Sequence, residues 1–241
     1  NGTRMPAAES AFLRYSLGLV FLIPMFGAIR QVTFTSRLIR LIALRGVFHT
    51  VGVTLWFFAM TQISIAEVTA MNYLTPVFVT VAAALFLGEK LAFRRILAVL
   101  AALLGAMIIL RPGFRELSVG HFAMLGVAMT FCISYLTAKL LTDEVPASVV
   151  VSMLSVAVTL GLAPLAYSVW IPPTLGETGI LFLVACFATA GHYAMSVAFT
   201  NAPLTVTQPV TFIQLIWAVT LGYFAFGEAV DIWVVIGGFV I

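Results

Sequence analysis

Long apolar runs separated by short polar links dominate the chain. A membrane-spanning helix needs about 20 mostly apolar residues, and eight such runs can be drawn along this sequence. The links between them carry turn and breaker residues, as at 111–113 and 172–173. A ninth run begins at Asp231 and stops at Ile241. The eight runs cover residues 8–29, 41–62, 65–87, 93–110, 119–141, 148–170, 176–199 and 204–226.

The composition favours a lipid environment. Hydrophobic residues make up 62% of the chain and charged residues only 9%, whereas a soluble domain carries about 25% charged residues. A lipid-facing span must satisfy its backbone internally, so the runs predict an all-α integral membrane protein surrounded by the lipid bilayer. The net charge of +3 is modest, and no basic stretch alternates with aromatic residues. We therefore expect no nucleic-acid partner, and no motif indicates a cofactor or a metal site.

The chain contains an internal repeat. The pair Gly88-Glu89 recurs 139 residues later as Gly227-Glu228. The same shift carries the starts of the runs at 8, 41 and 65 onto 147, 180 and 204, close to other run starts. Agreement of several boundaries with one shift is stronger evidence than any single identity. We therefore predict two related halves, residues 1–113 and residues 114–241.

The repeat also predicts how the two halves are oriented. Shifted back by 139 residues, the run at 119 has its counterpart before Asn1. Shifted forward by the same amount, the end of the fourth run, at residue 110, falls beyond Ile241. An intact version is thus expected to hold ten helices, five per repeat, of which about eight and a half are present here. Equivalent helices are then five crossings apart, so the repeats should be inverted. Inverted repeats are typical of transporters.

The distribution of basic residues supports this inversion. The link at 90–95 is basic, whereas its counterpart at 229–234 contains no Lys or Arg. The positive-inside rule then divides the basic residues between two sides of the membrane. One side holds Arg30, Arg37, Arg40, Arg45, Lys90, Arg94, Arg95 and Lys139, and the other holds Arg4, Arg14, Arg111 and Arg115.

Several short motifs resemble the EamA-type transporters of the drug/metabolite transporter superfamily. The first copy contains Leu-Thr-Pro-Val-Phe at 74–78, Leu-Gly-Glu-Lys-Leu at 87–91 and Arg-Pro-Gly at 111–113. The second contains Thr-Gln-Pro at 207–209 and Phe-Gly-Glu at 226–228. The resemblance implies ten helices in two inverted five-helix repeats around a central cavity, here without the first helix and the end of the tenth. One departure is Leu215, which stands where the first copy has Pro76.

The resemblance implies transport of a small metabolite across a bacterial inner (plasma) membrane by alternating access, with export as the expected direction. The substrate class stays open between amino-acid-like, vitamin-like and nucleotide-like metabolites. Protons are a candidate coupling ion, and the oligomeric state is open. One alternative is a non-transporting receptor or scaffold, which would favour longer polar loops than these. Another is a membrane-embedded enzyme, but the three histidines lie on different runs and the carboxylates lie mostly at run ends.

Strongly polar residues inside the runs are the candidates for substrate binding, because such groups are costly at membrane depth. For each one the alternative role is a hydrogen bond between helices. Proline breaks at Pro76 and Pro209 should free backbone carbonyls near some of them. The candidate cavity residues are His49, Trp56, Asn72, Tyr73, His192, Tyr193, Gln208, Thr211, Gln214 and Trp217.

Three carboxylates have separate expected roles. Glu89 and Glu228 sit beside a glycine at run ends, where a structural role at a helix end is favoured. Glu67 lies near the start of the third run, where the alternatives are a helix-start carboxylate and a proton-coupling group.

The proton-coupling hypothesis predicts that Glu67→Gln flattens the pH dependence of flux, because an amide cannot exchange a proton in this range. Initial flux rates in proteoliposomes between pH 5.5 and 8 measure it. A pH profile identical to that of the unmodified protein would contradict the hypothesis.

Overall fold

The computed structural model describes residues 5–63, 65–90, 92–110 and 118–214, together with residues 217, 220, 224, 233, 236 and 240. The described chain is helical, as the all-α prediction requires. Each of the eight apolar runs begins within a few residues of the first residue of an observed helix. The helices are α1 Ala7–Gly18, α2 Leu22–Arg30, α3 Ser36–Gln62, α4 Ile65–Asn72, α5 Leu74–Phe86, α6 Phe93–Leu110, α7 Val119–Thr142, α8 Ala147–Ser168, α9 Leu175–Asn201 and α10 Leu204–Val210.

Three of the predicted runs are interrupted helices rather than single ones, and in the eighth run α10 is followed directly by a 3-10 turn at Thr211–Ile213. A 3-10 turn at Leu19–Phe21 joins α1 to α2, and together they form one span, Ala7–Arg30. The third run divides into α4 and α5 at Tyr73, three residues before Pro76. Proline cannot donate a backbone hydrogen bond to the carbonyl one turn earlier. A proline alone does not break a helix in this protein, because α8 continues through Pro164.

Prolines also mark where helices begin. Pro6, Pro146 and Pro203 directly precede α1, α8 and α10, each with a φ near −60° and a ψ near 150°. The ring fixes φ, and the extended ψ turns the chain into the helix that follows. At the other end of a helix, α5 is followed by Gly88, whose φ of +67° is in the left-handed region that glycine adopts without strain.

Five helical segments among the described residues are long and apolar enough to cross a membrane. Many large apolar side chains are exposed on the helices, including Phe86, Phe187 and Leu160. Such a surface suits lipid, which makes this an integral, multi-pass membrane protein. The five candidate spans are Ala7–Arg30, Ser36–Gln62, Val119–Thr142, Ala147–Ser168 and Leu175–Asn201.

The chain forms two compact units, and each is described here by itself. Unit 1 comprises residues 1–57 and 133–201, and unit 2 comprises residues 58–132 and 202–241. Each unit draws segments from both sequence repeats, because the units are defined by spatial contact and the repeats by sequence. The repeat boundary between residues 113 and 114 therefore stays a prediction.

Different helices build the core of each unit. In unit 1, α1 packs against α8 and α9, and α8 also contacts α2 and α9. In unit 2, α10 packs against α5 and α6, and its apolar cluster comprises Tyr73, Val77, Val99 and Phe212.

Small residues bring α3 and α8 close together in unit 1. A Cβ built on Gly46 would lie 2.5 Å from the Cβ of Ala157. One turn further along both helices, a Cβ on Gly161 would lie 2.7 Å from Oγ1 of Thr50. Two such contacts at a spacing of four residues are typical of close helix packing in membranes.

We expect Gly46→Ala to destabilise the protein, because the added methyl group would force α3 and α8 apart. Overpacking of this kind costs about 1–3 kcal/mol. Gly179→Ala on α9 is the matched control, since a Cβ there meets nothing within 4 Å. Thermal unfolding in detergent should show a lower midpoint for Gly46→Ala alone, and equal midpoints for the two variants would contradict the packing argument.

Candidate substrate-binding site

A buried hydrogen-bonded group lies inside unit 1, where His49 of α3 joins two other spans. The Nε2 atom of His49 is 2.8 Å from the hydroxyl oxygen of Tyr15 on α1. Its Nδ1 atom is 3.1 Å from Oγ of Ser134 on α7. A neutral imidazole has one donor and one acceptor nitrogen, and each hydroxyl can supply the complementary role. All three side chains are buried, so these partners replace water.

A second histidine, His192 of α9, extends this group. Its ring centroid is 5.6 Å from that of His49, and the two planes are inclined at 71°. The ring of Tyr15 meets His49 edge to face at 6.2 Å. Four spans thus contribute side chains to one place. We call Tyr15, His49, Ser134 and His192 the histidine cluster.

Not every polar atom near the histidine cluster has a partner. The Nδ1 atom of His192 is buried without a hydrogen-bond partner in the part of the chain that the structure describes. Buried polar atoms are almost always hydrogen-bonded in native proteins, so an exception needs an explanation. The hydrogen-bonding capacity of this imidazole nitrogen is therefore not met by the described residues.

Two arginines place positive charge beside the cluster. Arg45 lies one turn before His49 on α3, is 1% exposed, and donates from Nη1 to the carbonyl oxygen of Val150 at 3.0 Å. Its Nε and Nη2 atoms are buried without a partner among the described residues. The guanidinium of Arg14 lies over the ring of Tyr15, 3.8 Å from the centroid. An unpaired buried charge is strongly unfavourable, which makes Arg45 a functional candidate.

Unit 1 holds four of the residues that the sequence predicts to line a cavity. His49 and His192 are brought together. Trp56 lies two turns further along α3 with a half-buried ring that contacts Phe57. Tyr193 is adjacent to His192 in the chain, and its side chain is 42% exposed.

Unit 2 holds the other six predicted residues. Tyr73 is buried and stacks on Phe212, with ring centroids 5.5 Å apart. Gln208 is 1% exposed, and its Nε2 atom has no partner within the described ranges. Thr211 Oγ1 donates back to the carbonyl oxygen of Gln208 at 2.6 Å. Of the remaining three, Asn72 is half-buried, and Gln214 and Trp217 are exposed.

The two proline candidates differ in burial. Pro76 is buried two residues into α5, and Pro209 is half-buried near the end of α10. Each of them therefore lies inside a short helix of unit 2.

The three carboxylate candidates also lie in unit 2. Glu89 accepts hydrogen bonds from the backbone N–H groups of Leu204 and Thr205, both at 2.8 Å, at the start of α10. A carboxylate at this end satisfies unpaired N–H groups and complements the helix dipole. The backbone of Glu67 is in α4, but its side chain lies outside the described part of the chain, and so does the whole of Glu228.

Sequence patterns alone do not single out Tyr15, Ser134 or Arg45 as members of this site. A Tyr or a Ser in a spanning helix is common and carries little information. The charge pattern groups Arg45 with the other basic residues near the start of its helix. Arg45 nevertheless lies inside the run at 41–62, and the structure shows it buried. The signal that could have found it is the rule that an ionisable residue inside a span is a functional candidate.

The arrangement is suited to binding. It offers hydroxyl and imidazole groups, aromatic edges and a guanidinium, all held by rigid helices. In the described ranges no three His, Cys, Asp or Glu side chains are grouped so that they could hold a metal ion.

A solved structure shows the same fold. It is the crystal structure of a protein with a TM-score of 0.81 to this chain and 17% sequence identity, covering 98% of this chain and 86% of that one. At this level of identity the likeness concerns the fold alone.

Several known transporters are similar in sequence over nearly the whole chain. A riboflavin transporter of Rhizobium johnstonii is 31% identical, with 93% of this chain and 74% of that protein aligned. A pseudopaline exporter of Pseudomonas aeruginosa is 28% identical over 98% and 84% of the two chains. An S-adenosylmethionine uptake transporter of Rickettsia bellii is 23% identical over 95% and 79%.

The family model gives the same result as these relatives. The model of the EamA-like transporter family matches residues 2–111, which include the motifs at 74–78 and 87–91. The helical fold with its multiple spans, the family match and the similar transporters agree. The chain therefore belongs to the EamA-like transporter family and is a membrane transporter of a small metabolite.

Proposed function

We propose that the histidine cluster of unit 1 forms part of the surface that binds the transported metabolite, and that the protein works by alternating access. The observation that carries the proposal is the contact between His49 and the partly buried His192, in a set of polar side chains from four spans of which Tyr15, His49 and Ser134 are buried. Transporters commonly bind substrate near the middle of the membrane, where polar side chains are otherwise costly.

The competing interpretation is that the cluster only holds helices together. Its hydrogen bonds from His49 to Tyr15 and Ser134 would serve that role. A purely structural network should, however, satisfy all of its members, because an incompletely paired buried network is unfavourable. His192 and Arg45 both keep buried nitrogen atoms without partners among the described residues. A bound metabolite would supply the missing acceptors and donors.

The chemistry of the cluster narrows the search for a substrate. Imidazole and phenol edges favour a planar or partly apolar body, and the guanidinium favours a polar group at one end. Relatives are named for riboflavin, S-adenosylmethionine and pseudopaline, which supports screening vitamin-like, nucleotide-like and amino-acid-like metabolites.

Direction, coupling and location are further parts of the proposal. The named relatives include both an uptake transporter and an exporter. We keep export as the proposed direction, with protons as the coupling ion. The bacterial relatives support a place in the bacterial inner membrane.

The first test removes the nitrogens of His192 while keeping a ring of similar shape. His192→Phe should preserve folding but lower flux by about tenfold or more, which corresponds to loss of one hydrogen bond of about 1.4 kcal/mol. The assay is uptake of labelled riboflavin, S-adenosylmethionine, amino acids and nucleotides into proteoliposomes. His121→Phe is the control, because His121 lies in unit 2 and bonds to Ser118 near the start of α7. Equal flux in both variants would refute the binding role of the cluster.

A second pair of substitutions tests one predicted cavity residue in each unit. Trp56→Ala and Gln208→Ala should each weaken transport, seen as a higher KM or a lower kcat, without loss of expression. Gln31→Ala serves as the control, because Gln31 follows the end of α2 and is exposed. If either test variant transports like the control at all substrate concentrations, its residue does not contribute to transport.

A further inference from the structure

We propose that Arg45 binds a carboxylate group of the transported metabolite. The inference rests on the proposed binding role of the histidine cluster and names the substrate class for that site. Arg45 and His49 are four residues apart on α3, so both side chains lie on the same face of the helix. A metabolite bound at the histidine cluster can therefore present one end to the guanidinium.

The free atoms of Arg45 have the geometry that a carboxylate needs. Nη1 donates a hydrogen bond to the carbonyl oxygen of Val150, which fixes the orientation of the planar guanidinium. The two unpaired atoms, Nε and Nη2, lie along one edge of that plane, and their hydrogens point the same way. This fork matches the two oxygens of a carboxylate in a bidentate pair.

The acidic residues of unit 1 do not neutralise Arg45. Glu9 is fully buried and accepts the backbone N–H of Ile171 through Oε2, while its Oε1 has no partner among the described residues. The other acids have partners elsewhere. These pairs are Glu144 with Arg37, Asp143 with Lys139, and Glu177 with Thr174.

The surroundings favour a single carboxylate over a phosphate group. A phosphate dianion has more acceptor oxygens and more charge than one fork can satisfy, and it is usually met by several cations or backbone N–H groups. Here only one buried edge of one guanidinium lacks a partner among the described residues. Arg14 adds positive charge beside Tyr15, but its guanidinium lies over the ring.

The first experiment measures thermal stability of the full purified chain without any metabolite. Arg45→Met should leave the unfolding midpoint unchanged or raise it, because an uncompensated buried charge is removed. A structural arginine would give the opposite result, a lower midpoint, and that outcome would overturn the proposal. Arg40→Met is the matched control, since Arg40 is an exposed arginine on the same helix.

The second experiment compares molecules that differ in one group. The pairs are L-tryptophan with L-tryptophanamide, L-histidine with L-histidinamide, and adenosine with its 5′-monophosphate. In the unmodified protein and in Arg40→Met, at least one carboxylate should bind roughly thirtyfold more tightly than its amide, as expected for a charged pair. In Arg45→Met and in Arg45→Lys this preference should disappear, because neither side chain has the fork.

Each other outcome contradicts the inference. Equal binding of every acid and its amide would overturn it, and so would preference for the phosphate over both carboxylates. Carboxylate preference retained in Arg45→Lys would show that charge alone suffices and would refute the bidentate contact. These failures differ from failure of the proposed function, because the flux test on His192 does not depend on a carboxylate.

Discussion

A polar side chain on a membrane-spanning helix must find its partner inside the protein, since the hydrocarbon around it offers none. The backbone meets this requirement within each helix, but side chains must meet it across helices. His49 does so by bonding to Tyr15 on one span and Ser134 on another. The hydrogen bonds of a few buried side chains thus help to fix the positions of these helices in unit 1. Small residues such as Gly46, which faces Ala157, let the helices pack closely.

The same requirement makes buried groups without a hydrogen-bond partner candidates for binding a ligand. One nitrogen of Arg45 donates to the carbonyl oxygen of Val150, and its other two are buried without a partner among the described residues. One nitrogen of His192 is in the same state. Such groups lower the stability of the unliganded protein. A molecule that supplies the missing partners removes this unfavourable free energy when it binds. The lower stability of the unliganded protein is therefore matched by a more favourable free energy of binding. This is the physical reason for our proposal that the cluster takes part in metabolite recognition.

Much of the fold could be predicted from sequence because bilayer thickness dictates the length of apolar runs. The site could be predicted only in part. His49 and His192 stand out because imidazoles are uncommon in apolar runs, and the structure brings them together. Arg45 is missed because position in a run does not reveal whether a side chain reaches the interface or turns inward. The 3-10 turn at Leu19–Phe21 and the division into two units follow from packing, which local patterns do not report.

The central claim is that the metabolite binds at the histidine cluster, and the imidazole nitrogens can report it directly. The protein has three histidines, His49, His121 and His192. The measurement is NMR of 15N-histidine-labelled protein in nanodiscs, titrated with a metabolite that the protein transports. Binding at the cluster predicts shifts of the His49 and His192 resonances at saturation, with His121 unchanged. Saturating metabolite that leaves the His49 and His192 resonances in place would contradict the claim.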